Sequence, residues 1–108
     1  MRKVVINECY GGFELSDEAY EKMIEYGYGG IKKFDGNDSI FHIKYYFAVE
    51  PERTDITLIK VVEELGERAN GMCADLKIHE IEGLYRICEY DGMEWIETPD
   101  NIDWSYAD

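Results

Sequence analysis

Positive charge is scarce in this 108-residue chain. Eleven Lys and Arg stand against 24 Asp and Glu, for a net charge of −13. Nucleic-acid binders gain affinity by neutralising phosphates with Lys and Arg. A chain this acidic, with only Arg2-Lys3 and Lys32-Lys33 as basic pairs, is a poor ligand for a phosphate backbone. Long apolar runs are also missing. The longest is Tyr45-Tyr46-Phe47-Ala48-Val49, far below the roughly 20 residues that a membrane-spanning helix needs. No basic-then-apolar leader opens the sequence, so no secretory signal is predicted. Cysteine and histidine are few: Cys9, Cys73, Cys88, His42 and His79. Three cysteines without a Cys-x-x-Cys pair are not a disulfide framework, and they lack zinc-site spacing. Three free thiols and a reducing cytoplasm are expected.

Phosphate-binding fingerprints are absent too. Gly11-Gly12 lies before a candidate helix, but no Gly-Lys-Ser/Thr follows, and Glu14 and Asp17 would repel a phosphate. The spacing Asp35-x-Asn37-x-Ser39 resembles the start of a calcium loop. It fails because Ile40 stands where that loop needs Gly and Tyr46 where it needs a bidentate Glu. No metal and no cofactor are predicted.

What is present fits one globular α+β domain. Apolar residues make up 45% of the chain, and the 15 aromatic residues argue against wholesale disorder. Residues 1–97 are assigned to the domain and 98–108 to an acidic tail. Lys3 to Asn7 reads as an inner strand because Val4, Val5 and Ile6 are consecutive β-formers. Ser16 is a helix N-cap, followed by Asp17 and Glu18 at the positive end of the helix dipole. Leu15 and Tyr20 form a hydrophobic staple, Tyr20, Met23 and Ile24 share a face, and Gly27 ends the helix. Residues 28–53 are the least legible. Asp35-Gly36-Asn37 signals a turn and Ile40 to Val49 a strand.

A second helix begins at Asp55. Leu58, Val62, Leu65 and Ala69 form its apolar stripe with Val61 beside it, Glu64 and Arg68 pair at i,i+4, and Asn70-Gly71 caps its end. From Asp75 on, turns at Glu82-Gly83 and Asp91-Gly92 predict a three-stranded meander. Its register places Ile78, Ile87 and Ile96 in one core-facing row and Trp95 opposite Cys88 on the other face. The expected architecture is thus an antiparallel sheet (N-terminal strand, middle strand and meander) with both helices on one face.

Three chemistries compete. Cys9 before a helix N-terminus could be a nucleophile with His42 or His79 as base. A buried, inert thiol is the simpler reading, and no catalytic residue is assigned. Carboxylate pairs such as Glu63-Glu64, or Glu94 with Glu97, read as solvated surface. From Ile87 onward there are seven acids and no Lys or Arg, with Trp95, Trp104 and Tyr106 interleaved. Aromatic anchors among charges are what protein interfaces use. The candidate partner-binding residues are therefore Glu89, Asp91, Glu94, Trp95, Glu97, Asp100, Asp103 and Trp104, and the partner is a basic protein surface. The competing candidate is a small-ligand site built from Tyr10, Gly11, Gly12 and Phe13 with Arg53 or Arg86. Exposed strand edges would also admit a homodimer.

Two stretches carry a resemblance. Val4-Val5-Ile6-Asn7-Glu8-Cys9-Tyr10-Gly11-Gly12-Phe13-Glu14-Leu15-Ser16 resembles the VVINxCYGGFxLS opening of a group of small phage and prophage proteins. Val61-Val62-Glu63-Glu64-Leu65-Gly66, Ala69-Asn70-Gly71 and Tyr90-Asp91-Gly92-Met93-Glu94-Trp95 are similar to later parts of the same group. The likeness spans more than half of the chain and leaves out residues 28–53. Its setting implies a counter-defence protein in the cytoplasm of a bacterial host. One form would be an inhibitor of a nucleic-acid-binding defence protein such as a type II CRISPR effector; another, a sponge for a nucleotide immune signal. A small enzyme ranks third.

Overall fold

Val4, Val5, Ile6 and Asn7 are all buried, and the strand they form, β1 (Arg2–Asn7), organises the molecule. The computed structural model describes residues 2–34 and 44–99. After β1 come α1 (Asp17–Glu25), β2 (Ile31–Lys33), β3 (Tyr45–Phe47), α2 (Ile56–Leu65), a 3-10 turn over Gly66–Ala69, β4 (Leu76–Ile81), β5 (Arg86–Tyr90) and β6 (Met93–Glu97). The class is α+β with antiparallel strand pairs, as the patterning predicts.

The strands pair differently from the expected sheet. There are three two-stranded pairs among the described residues: β1 with β4, β2 with β3, and β5 with β6. The Asp91-Gly92 hairpin forms in the expected register, with Ile87 opposite Ile96 and Cys88 opposite Trp95. Asp91 and Gly92 both have positive φ, 52° and 88°, as a type I′ turn requires. The Glu82-Gly83 hairpin does not form. β4 instead pairs along its whole length with β1, from Arg2 opposite Ile81 to Asn7 opposite Leu76. Ile78 therefore faces Val5 rather than Ile87. A Glu-Gly turn is a weak hairpin signal, and the β1 ladder occupies one edge of β4 while the other edge is not paired with β5.

Both helix starts follow the sequence. Ser16 Oγ accepts from the Ala19 N–H at 3.1 Å, and Asp55 Oδ1 accepts from Thr57 and Leu58. Leu15, Ala19, Tyr20 and Met23 join Leu58, Val61, Val62, Leu65 and Ala69 in one core with Val5 and Leu76. Helix α2 packs on β1 and β4, while α1 packs on α2, the 3-10 turn and β3. Phe47 of β3 meets the edge of Tyr20 at 5.0 Å and of Tyr28 at 6.0 Å, closing the core at that end.

Three local expectations are corrected. Ile24 does not share the buried face of Tyr20 and Met23; it is exposed. Helix α2 ends at Leu65, where Gly66 takes φ 56°, and not at Asn70-Gly71. A residue without a Cβ adopts that conformation at little cost. Arg68 consequently leaves the helical face and donates to Glu18, while Glu64 accepts from the Tyr26 hydroxyl. Asn70 is instead extended, bridging to Leu15 and accepting from Leu76 N–H. Within the middle stretch, Tyr45–Phe47 is strand; the expected turn at residues 35–37 and the first part of the expected 40–49 strand lie outside the described residues.

Candidate functional site

The second edge of β1 is closed by side chains and a loop instead of a strand. Val5 N–H donates to the Arg53 carbonyl at 2.8 Å. Asn7 N–H donates to Glu94 Oε1 at 2.7 Å. Arg53 then grips both oxygens of Glu94, Nη1 to Oε1 at 2.5 Å and Nη2 to Oε2 at 2.8 Å. Its guanidinium also lies 3.7 Å from the ring centre of Phe13. Planar, bidentate pairing over an aromatic face is what Arg does and Lys cannot.

The Asn7 side chain completes the junction. Its Nδ2 donates to the carbonyls of Cys9 and Gly92, and its Oδ1 accepts from Asp75 N–H. No buried side-chain nitrogen or oxygen lacks a partner among the described residues, as a buried polar cluster demands. Gly11 N–H donates to the Asp91 carbonyl at 3.3 Å. A Cβ on Gly92 would sit 2.4 Å from the Gly12 nitrogen, and one on Gly11 would sit 2.4 Å from Cys73 Cβ. The glycines therefore let two turns touch. The segment from Val4 to Ser16 and the segment from Tyr90 to Trp95 meet at this contact through Asn7, Gly11 and Gly12 on one side and Asp91, Gly92 and Glu94 on the other.

This junction rearranges both candidate sites. Of the partner-binding set, Glu94 is not at the surface: its side chain is 8% exposed and bound to Arg53. Glu89 accepts from Gly92 N–H and braces the hairpin turn. Glu97 accepts from Arg86 and from Trp95 Nε1. The Arg86 hydrogen bond holds the Glu97 carboxyl below its ordinary range, and Glu97 in turn raises Arg86. Asp91 is at the exposed turn. Asp100, Asp103 and Trp104 lie outside the described residues.

The outer face of the β5–β6 hairpin carries Arg86, Cys88 and Tyr90 opposite Glu97, Trp95 and Met93. Tyr90 is 71% and Trp95 42% exposed. The inner face carries Ile87 with Ile96 and Glu89 with Glu94. By the period-2 rule Glu94 shares the face of Ile96; Ile96 and Ile87 are half-buried and lie outside the main core, so the register indicated an inward Glu94 without fixing its burial. Asn7, the polar residue ending an otherwise apolar strand, was the other available signal.

Of the small-ligand set, Phe13 and Arg53 do come together. The Gly11-Gly12 turn, however, is occupied by the Asp91-Gly92 turn, and Arg53 is held by Glu94. Tyr10 is exposed, and Arg86 belongs to the hairpin's outer face, bound to Glu97.

The thiols show no catalytic pairing among the described residues. Cys9 Sγ donates to the Tyr10 carbonyl, while His79 Nε2 contacts Glu8 at 2.6 Å. Burial and neighbouring Glu97 push the Cys88 thiol up, away from thiolate. His42 lies outside the described residues. No group of three His, Cys, Asp or Glu among the described residues could hold a metal, and no described helix is long and apolar enough to cross a membrane. Comparison with family models, with curated proteins and with solved structures yields no match.

Proposed function

We propose that the protein acts by binding a basic protein surface, through the outer face of the β5–β6 hairpin. The observation that carries this reading is the joint exposure of Tyr90 and Trp95 on one face, beside half-buried Met93, with Asp91 at the turn and Glu97 at the far end of the same face. Aromatic side chains supply contact area at low entropic cost, and surrounding charge steers encounter with an oppositely charged partner. Residues 98–108 add three more acids and no cation. Together with the phage-type resemblance, this points to a counter-defence inhibitor in the bacterial cytoplasm. Its target would be a nucleic-acid-binding host protein of the type II CRISPR effector kind, occupied in the groove that otherwise takes nucleic acid.

The closed Gly11-Gly12 turn weighs against the nucleotide sponge. That turn offers one of its N–H groups to Asp91 and abuts Gly92, so a phosphate would have to displace the hairpin.

Binding kinetics against a purified type II CRISPR effector, free of guide RNA, test the proposal. Trp95→Ala should mainly raise the dissociation rate. Asp91→Asn should lower the association rate and flatten its salt dependence while keeping a residue that tolerates positive φ. No binding by the parent protein, with a nucleotide released from it on denaturation, would replace this reading with the sponge.

A further inference from the structure

Side chains and a loop close the second edge of β1 only from Val5 onward. Val5 N–H donates to the Arg53 carbonyl and Asn7 N–H to Glu94. Arg53 Nη1 lies 3.5 Å from the Val5 carbonyl on the same side. Main-chain groups of an antiparallel strand point to its two edges in alternation, so Lys3 N–H and C=O face this edge too. Neither has a hydrogen-bond partner there among the described residues.

Beside this open end lies a shallow depression of about 540 Å³, bordered by Arg2, Lys3 and Thr54. Its far wall is the start of α2, which presents Ile56, Ile59, Lys60 and Glu63. These recur at i, i+3, i+4 and i+7 and so form one helical stripe. Ile56 is 81% exposed, more than any other large apolar side chain among the described residues.

The charge of the depression is opposite to that of the chain. Its lining holds Arg2, Lys3 and Lys60 against one carboxylate, Glu63, where the whole chain has a net charge of −13. With Glu80 included, opposite Lys3 on β4, the cations still outnumber the carboxylates. Asp55 is turned to the helix N–H groups it caps. Glu63 is taken by Lys3 at 2.8 Å, whereas Arg2 and Lys60 have no ion-pair partner among the described residues. Lys60 Nζ rests over the Tyr26 ring at 4.1 Å, a contact that uses no hydrogen-bond acceptor.

We infer that the open end of β1 binds an extended, acidic segment of a partner protein. The segment's main chain pairs with Lys3 N–H and C=O, as a strand added to a sheet edge does. Side chains at i and i+2 of an extended segment share a face. The row turned to α2 therefore carries both an apolar residue over Ile56 and a carboxylate at Lys60. Two features favour a peptide over a nucleic acid. A phosphate backbone has no amide groups to pair with Lys3, and its charge density is repelled by so acidic a chain. The depression shares no residue with the outer face of the β5–β6 hairpin, and binding there is independent of the function proposed above.

Nuclear magnetic resonance of the isotope-labelled, full-length protein tests this with a short synthetic peptide as the probe. The peptide has Thr at every odd position and Val and Asp in turn at the even ones, so that Val and Asp share one row. Its addition should move the Lys3 amide proton downfield, slow its exchange with solvent and shift the amides of Ile56, Ile59 and Lys60. Ile56→Asp and Lys60→Glu should each weaken peptide binding several-fold. Both positions are exposed, and Asp is favourable in the first turn of a helix, so these variants keep the fold; circular dichroism checks that. A peptide with Lys in place of Asp should bind several-fold more weakly. A Lys3 amide that the Val/Asp peptide leaves unmoved, or equal binding by the Lys peptide, would overturn the inference. Equal shifts from a single-stranded oligonucleotide would overturn it in favour of nucleic acid. A Lys3 amide whose exchange slows as the protein alone is concentrated would overturn it in favour of a second copy of the chain.

Discussion

Replacing Glu94 should destabilise the fold before it affects any partner. In Glu94→Ala, the Arg53 guanidinium loses both of its close acceptors at a site where its side chain is 17% exposed. Asn7 N–H loses its acceptor as well. Removing one member of a buried ion pair costs about 3–5 kcal/mol, because the remaining charge stays desolvated. Glu50, 3.6 Å from Arg53 Nη2, still offers the guanidinium a carboxylate, so the lower end, about 3 kcal/mol, applies. Total stability for a domain is about 5–15 kcal/mol, so the variant should lose a substantial share of it. Glu94→Gln keeps the shape and one acceptor oxygen, and should cost less, about 1–3 kcal/mol. The double variant Arg53→Met/Glu94→Leu removes both charges. It should recover much of the loss of Glu94→Ala, since apolar replacement of a buried pair is often near neutral. It should still fall short of the parent by about 1–3 kcal/mol for the unpaired Asn7 N–H. Urea unfolding at low temperature, followed by far-ultraviolet circular dichroism, measures all three. A Glu94→Ala variant within about 0.5 kcal/mol of the parent, the range of ordinary surface substitutions, would show that the junction does not hold the hairpin to β1.

Two further outcomes follow from the same geometry. Gly92→Ala places a Cβ against the Gly12 nitrogen at a residue with φ 88°. It should cost about 1–3 kcal/mol from backbone strain, and the added clash should lower the melting temperature more than Gly83→Ala does, where φ is 80° as well but no atom lies within 4 Å of the added Cβ. Glu97 and Glu18 are held below the ordinary carboxylate range by hydrogen bonds from Arg86 and Arg68 respectively. A carboxyl lowered in the folded state contributes stability that is present above its unfolded pKa and is lost as pH falls through the folded value. Both pairs are exposed, so their contribution is small. A nuclear magnetic resonance titration should nevertheless show the Glu97 carboxyl rising toward its ordinary value in Arg86→Gln, and a Glu97 titration unmoved by that substitution would contradict the pairing.

The local elements could be read from residues that act on their neighbours in the chain. Ser16 and Asp55 cap helices because a short oxygen acceptor beside free N–H groups needs no tertiary help. Asp91-Gly92 sets its own hairpin register because both residues tolerate positive φ. Leu58, Val61, Val62 and Leu65 mark a buried face through the helical period alone. These signals carry the α+β class and most of the core. Pairings between elements were not contained in such signals. That β4 pairs with β1 rests on a match between segments about 70 residues apart, which no turn between them announces. The fate of Glu94 was half legible: its parity with Ile96 places it inward, but an inward carboxylate is tolerable only if a cation meets it. Arg53, 41 positions earlier in a stretch without a clear pattern, is that cation. The energy of a buried charge depends on the group it touches and not on its neighbours in the chain. For that reason two residues expected on separate surfaces turned out to be each other's partner once the chain was folded.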